Sequence, residues 1–182
     1  MKYLVGIDNG GTFVKTAVFD QEGRQIAAAK EPVVNVSPRP GYTERDMELL
    51  WEASARTSRT AVEKSGIDPA DIAGVSFSGH GKGLYLVDKK GKPLYRGILS
   101  TDSRAEEYVK RWKEDGTCKR VFAKSLQTVL ACQPVSLLAW LRDNEPGVYA
   151  EIGYVFSVKD YIRYRITGEA YGEYTDFQGV IW

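Results

Sequence analysis

A mixed-sheet α/β domain is the fold this sequence predicts, and three observations predict it. Two strand-like runs, Tyr3 to Asp8 and Phe13 to Asp20, flank a glycine turn. A long stretch of helical periodicity follows between Asp46 and Gly66. Further strand-like runs come next, and then several helical segments, an order that suits a sheet with helices packed on it.

Each element has a local cause. Asn9-Gly10-Gly11-Thr12 between the first two runs is a hairpin signal, and its glycines can accept positive φ. A second turn at Asp20-Gln21-Glu22-Gly23 leads into a third strand, Gln25 to Val34, which ends in a loop marked by Pro38, Pro40 and Gly41. Asp46 caps the long helix, whose apolar stripe runs through Met47, Leu50, Trp51, Ser54, Ser58, Ala61 and Val62. Gly66 and Pro69 stop it. Ile72 to Phe77, Leu84 to Asp88 and Leu94 to Leu99 read as strands, the last two separated by a turn at Lys89-Lys90-Gly91. From Arg104, the residues Ala105, Tyr108, Val109 and Trp112 share a helix face that ends near Gly116. Pro134 opens another helix that Asn144 and Pro146 stop. Ile152 to Phe156 is a last strand, and Lys159 to Thr167 a last helix closed by Gly168. Glycines flanked by strands on both sides argue against a dinucleotide-binding fold, which places them between a strand and a helix.

Composition narrows the function. The 182 residues carry 25 Lys+Arg against 24 Asp+Glu, so the formal charge of +1 offers no electrostatic footprint for nucleic acid or an anionic membrane. At 43% hydrophobic and 27% charged residues, the chain is neither disordered nor membrane-spanning, and its length suits one domain or one lobe of something larger. The apolar stretch Val135 to Leu141 is too short to cross a bilayer. Met1-Lys2 leads straight into a run ending at Asp8 with no secretory pattern, so a cytoplasmic location is expected. Cys118 and Cys132 lack metal-ligand spacing and read as packed thiols in a reducing compartment.

The chemistry concentrates in Gly6-Ile7-Asp8-Asn9-Gly10-Gly11-Thr12-Phe13-Val14-Lys15. A turn of this kind can aim successive backbone N–H groups at one anion. Thr12 adds a hydroxyl, Lys15 adds a cation if its side chain reaches back, and Asp8 stands where a magnesium ion bridging phosphates would need an oxygen. A plain hairpin with an Asx residue at its end is the competing reading.

Further along, Pro40-Gly41-Tyr42-Thr43-Glu44-Arg45-Asp46, Ser100-Thr101-Asp102-Ser103-Arg104, Lys159-Asp160-Tyr161, Thr167-Gly168-Glu169 and Tyr174-Thr175-Asp176 occur in an order that, with the hairpin, resembles the FGGY carbohydrate kinases. The resemblance runs over essentially the whole chain and implies an actin-like (ribonuclease H-like) ATPase lobe. Gly81-Lys82-Gly83-Leu84, Leu99-Ser100-Thr101-Asp102 and Pro134-Val135-Ser136-Leu137-Leu138 are similar to the L-xylulose kinase branch of that family. The family's sugar-contacting dipeptide falls here on Gly81 and Lys82, after His80, and Ser100 stands where many relatives carry a tryptophan; both departures speak against glycerol or D-xylulose.

What the resemblance implies can be set out by residue. Asp8, Asn9, Gly10, Gly11, Thr12 and Lys15 bind ATP, with Asp8 assisting magnesium. His80, Gly81, Lys82, Asp102 and Arg104 line the sugar cleft. Plain structural alternatives stand beside several of these: His80 packed and hydrogen-bonded, Lys82 solvated in its loop, Asp102 capping the helix with Arg104 in a surface ion pair, Asp160 capping the last helix. Trp51, Trp112 and Trp140 read as core, and Glu106-Glu107 with Lys110-Arg111 as ion pairs on a wet face.

The family's catalytic base is an Asp in a Gly-rich segment late in the first lobe, and its adenine contacts come from a second lobe; both are expected beyond Trp182. The expectation is therefore a truncated first lobe of an ATP-dependent ketopentose kinase over 1–182, inactive alone, with a small sugar as its partner and a homodimer left open. A sugar- or phosphate-binding remnant without catalysis, and another actin-like ATPase, are the alternatives.

Overall fold

The structure is a computed structural model and describes residues 1–176. Its main sheet is built on strand β1 (Tyr3–Asn9), which pairs antiparallel with β2 (Phe13–Phe19), and β2 in turn pairs antiparallel with β3 (Gln25–Pro32). Side chains alternate along these strands as a half-buried pleat requires. On β1 the inward row is Val5, Ile7 and Asn9; on β2 it is Val14, Thr16 and Val18.

Helix α1 (Met47–Ser65) covers that inward face. Asp46 caps it, its carboxylate accepting the N–H groups of Glu48 and Leu49, and Gly66 closes it in the left-handed conformation with φ 67°. Met47, Leu50 and Ala53 pack on Val14, while Ala61 sits over Val5, Ile7 and Val18. After a short 3-10 turn at Pro69–Asp71, strand β5 (Ile72–Gly79) joins the other side of β1 in parallel. The order β3-β2-β1-β5 with both pairing senses makes the sheet mixed, as expected.

Two small antiparallel pairs build the rest: β4 (Glu44–Arg45) with β7 (Gly97–Ile98), and β6 (Tyr85–Asp88) with β8 (Ile152–Phe156). Helices α2 (Glu106–Glu114), α4 (Pro134–Asn144) and α5 (Pro146–Ala150) pack around the second pair and its core of Leu84, Leu86, Ile98, Leu137 and Leu141, and α3 (Thr117–Ser125) packs on α2 through Val109 and Val121. Helix α6 (Val158–Thr167), closed by Gly168, packs Val158, Tyr161 and Ile162 back toward α1. Trp140 is buried, and Trp51 and Trp112 are half-buried against the cores. Cys132 is buried, Cys118 is half-buried, and both are free thiols.

Several sequence expectations need correction. Asp102 does not cap α2; the cap position falls on Ala105, which makes no side-chain bond. Ser157, not Asp160, caps α6. Pro146 ends one helix and begins another, α5; the run Leu94 to Leu99 shortens to the two residues of β7, and β4 and α3 are elements the sequence reading does not include. Neither Gly10 nor Gly11 takes a positive φ. On the wet face of α2, Lys110 pairs with Glu107 three residues back, and Arg111 lies over the Tyr108 ring.

Replacing the α1 cap, Asp46→Ala, should lower the unfolding free energy by about 1 kcal/mol, read as an earlier urea midpoint with unchanged slope. An unmoved midpoint would show that the helix start is held by tertiary contacts alone.

Candidate functional site

The hairpin between β1 and β2 is held from behind. Gly10 donates its N–H to the Phe13 carbonyl at 3.0 Å, which closes the turn. The Gly10 and Gly11 carbonyls accept from the Arg45 guanidinium at 3.1 and 2.9 Å, Gly11 also from Asn35 at 2.8 Å, and the Thr12 carbonyl from Val33 N–H. All peptides here are trans and near planar, so each N–H points opposite to the carbonyl of its own peptide. The N–H groups of Gly11 and Thr12 therefore face away from Arg45, and neither donates to a protein acceptor among the described residues. Both residues are exposed, and a Cβ on Gly11 would meet open space. On Gly10 it would sit 3.1 Å from the Phe13 carbonyl oxygen, so this glycine serves a close approach and not a left-handed backbone.

Side-chain parity divides the predicted phosphate set. Asp8 and Lys15 are cross-strand partners on the outer face, 4.0 Å apart and both well exposed. Lys15 thus stands beside Asp8, adjacent to the turn, and does not fold back over it. The Asp8 carboxylate comes within 3.9 Å of where a Gly10 Cβ would be, which puts one exposed carboxylate, with Lys15 beside it, at the mouth of the turn. Asn9 is different. It belongs to the inward row, is fully buried, and its Oδ1 accepts from the Ser54 hydroxyl of α1 at 2.9 Å. Its contribution to the site is its backbone carbonyl, which accepts the His80 N–H at 3.1 Å and so ties the turn to the loop after β5.

Gly81 to Gly83 of that loop line a cavity of about 220 Å³ whose other walls include Gln133, Ser157 and Asp176, and His80 stands just before them. Lys82 is exposed and left-handed at φ 63°, a conformation a lysine adopts at some cost. Gly83 follows at φ 75°, and a Cβ there would lie 2.4 Å from the Ile98 carbonyl oxygen, so the loop is pressed onto β7. His80 hydrogen-bonds through Nε2 to the hydroxyl of the buried Tyr85 at 2.9 Å. Burial first, and the Arg45 charge second, push the His80 pKa down to about 4, so the ring is neutral at physiological pH. Gln133 carries no signal of its own in the sequence, and Asp176 is read there only as part of the Tyr174-Thr175-Asp176 motif; the folded loops bring both to this cavity.

Asp102 and Arg104 lie elsewhere, in the interior. The Asp102 carboxylate accepts the backbone N–H groups of Thr43 and Arg104 and two bonds from the Arg104 side chain. Arg104 also donates to Glu44 at 2.7 Å and lies over the rings of Tyr42 and Trp140. Neither the Asp102 nor the Arg104 side chain has any exposed surface. Burial disfavours the Arg104 charge, but the bonds to Asp102 and Glu44 outweigh it and hold the guanidinium above its ordinary range. These two residues join two chain segments and do not face the cavity, so neither the helix-cap nor the surface-pair reading describes them. A similar meeting occurs where Lys159 contacts Asp176 at 2.9 Å and Asp160 at 3.6 Å.

The fold thus presents an exposed β-hairpin turn at the end of a mixed sheet, tied to a loop that lines a cavity, in an α/β lobe. Residues 3–182 match the N-terminal domain of the FGGY family of carbohydrate kinases. The chain belongs to that family. It is 43% identical over 97% of its length to a probable L-xylulose kinase of Pasteurella multocida, and 42% identical over 92% to an L-xylulose/3-keto-L-gulonate kinase of Escherichia coli. The matched stretches are 36% and 34% of those relatives' own lengths, so the chain spans about a third of them. Among solved structures, a xylulose kinase from Lactobacillus acidophilus superposes with a TM-score of 0.91 at 24% identity, over 98% of this chain and 36% of that one. That likeness shows the fold, an actin-like ATPase lobe. Among the described residues no helix is long and apolar enough to cross a membrane.

Two outcomes follow from the geometry. Arg104→Ala strands two buried carboxylates and should cost about 3–5 kcal/mol in a urea titration; a loss below about 1 kcal/mol would contradict the closed hydrogen-bond count. His80 is neutral when folded down to about pH 4 but protonates near 6.5 when unfolded. Between those values the unfolded state binds more protons, so stability falls with acidification by at most ~1.4 kcal/mol per pH unit. His80→Gln should flatten that part of the wild-type stability profile, and parallel profiles would refute the assignment.

Proposed function

We propose that this chain supplies the phosphate-gripping and sugar-facing walls of an ATP-dependent carbohydrate kinase that acts on a ketopentose such as L-xylulose. The observation that carries the reading is the pair of outward N–H groups of Gly11 and Thr12, joined to the cavity loop by the bond from His80 to Asn9. The L-xylulose kinases of Pasteurella multocida and Escherichia coli support the substrate class.

The residues fit nucleotide and metal. Two free amides and the exposed Thr12 suit terminal phosphate oxygens, with Lys15 at the outer rim. Among the described residues no three His, Cys, Asp or Glu side chains form a metal-ligand group. Magnesium bound with phosphates needs only one or two protein carboxylates, so Asp8 alone is a fitting ligand. When bound, magnesium neutralises charge on the phosphates during transfer. The chain's own part is to orient: the turn fixes the terminal phosphate, while the loop at Gly81 and Lys82 with Gln133 and Asp176 directs a sugar hydroxyl toward it. His80, neutral and bonded through its two ring nitrogens to the Gly81 carbonyl and the Tyr85 hydroxyl, holds the shape of that loop from behind. Asp102 and Arg104 support this wall from within. We assign the base that deprotonates the hydroxyl, and the adenine contacts, to the part of the relatives' length that this chain does not span.

The test grafts residues 1–182 in place of the matching third of the Escherichia coli relative and follows ADP release with L-xylulose. The graft should turn over, Thr12→Val should lower its kcat/KM at least about tenfold, and residues 1–182 alone should show no ketose-dependent ADP release. A folded graft without turnover would overturn the reading. Turnover by residues 1–182 alone would overturn the division of labour.

A further inference from the structure

Arg45 is 1% exposed and has no carboxylate beside it among the described residues. Its acidic neighbours in sequence are committed elsewhere, Glu44 to Arg104 and Asp46 to the cap of α1. Its Nη1 and Nη2 donate to the Gly10 and Gly11 carbonyls, and its Nε has no acceptor at all. The ionisable groups facing it are Tyr85 and His80, and both are neutral near pH 7. A buried cation without a counter-ion is expensive, and breaking or omitting its partner is among the costlier choices a fold can make.

The peptide geometry indicates where the missing counter-ion belongs. The two peptides whose carbonyls Arg45 holds are the ones whose N–H groups emerge on the far, open side of the turn. Cation, carbonyl and N–H are therefore arranged in series, with the positive ends of two dipoles outward and a full charge behind them. We propose that Arg45 is a positioning residue of the anion site: it sets both peptides and supplies, through them, a buried charge whose counter-ion is the terminal phosphate of the bound nucleotide. This rests on the reading of the hairpin as a phosphate site. A residue that only clamped carbonyls would need donors but no charge, and the two roles separate by substitution.

The probe is inorganic pyrophosphate, titrated into the chain while the amide resonances of Gly11 and Thr12 are followed. In the wild type both should shift. Arg45→Gln keeps amide donors but loses the charge, and it should weaken binding about tenfold with the fold unchanged by circular dichroism. Arg45→Lys keeps the charge with a single donor group and should stay within about threefold of the wild type. A folded Arg45→Gln protein that binds pyrophosphate as tightly as the wild type overturns the proposal, as does an Arg45→Lys protein no better than Arg45→Gln. If neither variant folds, the wild-type Arg45 side-chain resonances decide: they must move with pyrophosphate, and static resonances beside shifting Gly11 and Thr12 amides overturn the proposal. Pyrophosphate that moves no resonance at the turn removes the phosphate reading itself, and the role of Arg45 with it.

Discussion

The buried Arg104 guanidinium is the constraint on which this architecture depends. It lies between Asp102 and Glu44, over the rings of Tyr42 and Trp140. A charge taken so completely out of water is tolerable only when its donors and the opposing lone pairs are matched. Asp102 answers with four accepted bonds, including the N–H of Thr43. The result is that residues 41–45 and 97–104 cannot move apart without stranding charge. Leu99 N–H to the Thr43 carbonyl and Ser103 N–H to the Gly41 carbonyl run along the same seam. Once that seam is fixed, β4 is fixed, although a two-residue strand has little stability of its own. Arg45 is the next residue, and its reach to the turn follows from where Glu44 is anchored.

This explains which parts of the molecule were legible in the sequence. The hairpin strands and α1 announce themselves because each repeats its burial pattern over several residues, period two in Val5, Ile7 and Asn9, helical in Met47, Leu50 and Ala61. The same parity, followed one residue further, would have turned the Asn9 side chain inward toward Ser54 and left only its carbonyl for the site. Other features had no periodic signal. β4 is two residues long, and its pairing with β7, the part of the run Leu94 to Leu99 that forms a strand, is dictated by side chains up to 60 positions apart in the chain. Asp102 in front of a helix looks like a cap locally, and only the tertiary position of Glu44 and Thr43 makes it a hub. The glycines of the turn suggested left-handed backbone, whereas the structure uses Gly10 for a close approach to Phe13. The motifs that carried the family resemblance turn out to touch one another in pairs, residues 41–44 on 102–104 and Lys159 on Asp176. Their regular order along the chain reflects contacts that a linear reading cannot display.

The sheet places both halves of the site at one end. β1 and β5 run parallel, and their last paired residues are Asn9 and Gly79, so the turn after β1 and the loop after β5 emerge side by side. Open α/β sheets gather ligands at such strand ends because the backbone there is released from the ladder and free to point at something else. The bond from His80 N–H to the Asn9 carbonyl extends the pairing by one step beyond the strands. It makes the distance between the two loops a property of the sheet and not of flexible side chains, which is what in-line transfer between two bound groups demands.

The electrostatics of the two halves then differ for a physical reason. On the proposed kinase reading, a terminal phosphate carries full charge and wants positive dipoles and a metal-bound oxygen, and around the turn stand open N–H groups, Asp8 and Lys15. A sugar is neutral, and charged groups around it would have to be desolvated without an ionic partner to offset the cost. The cavity side has a glycine-flanked loop and Gln133 in its walls, with His80 behind the loop held neutral by burial and by Arg45. The charge there is kept to its rim, where Lys82 is exposed to solvent and Asp176 is paired with Lys159. Arg45 thus affects both halves in opposite senses: it draws the turn carbonyls toward itself and suppresses the charge of the neighbouring imidazole. One buried cation placed between the two loops therefore acts on the turn through its peptides and on the neighbouring loop through a neutral imidazole.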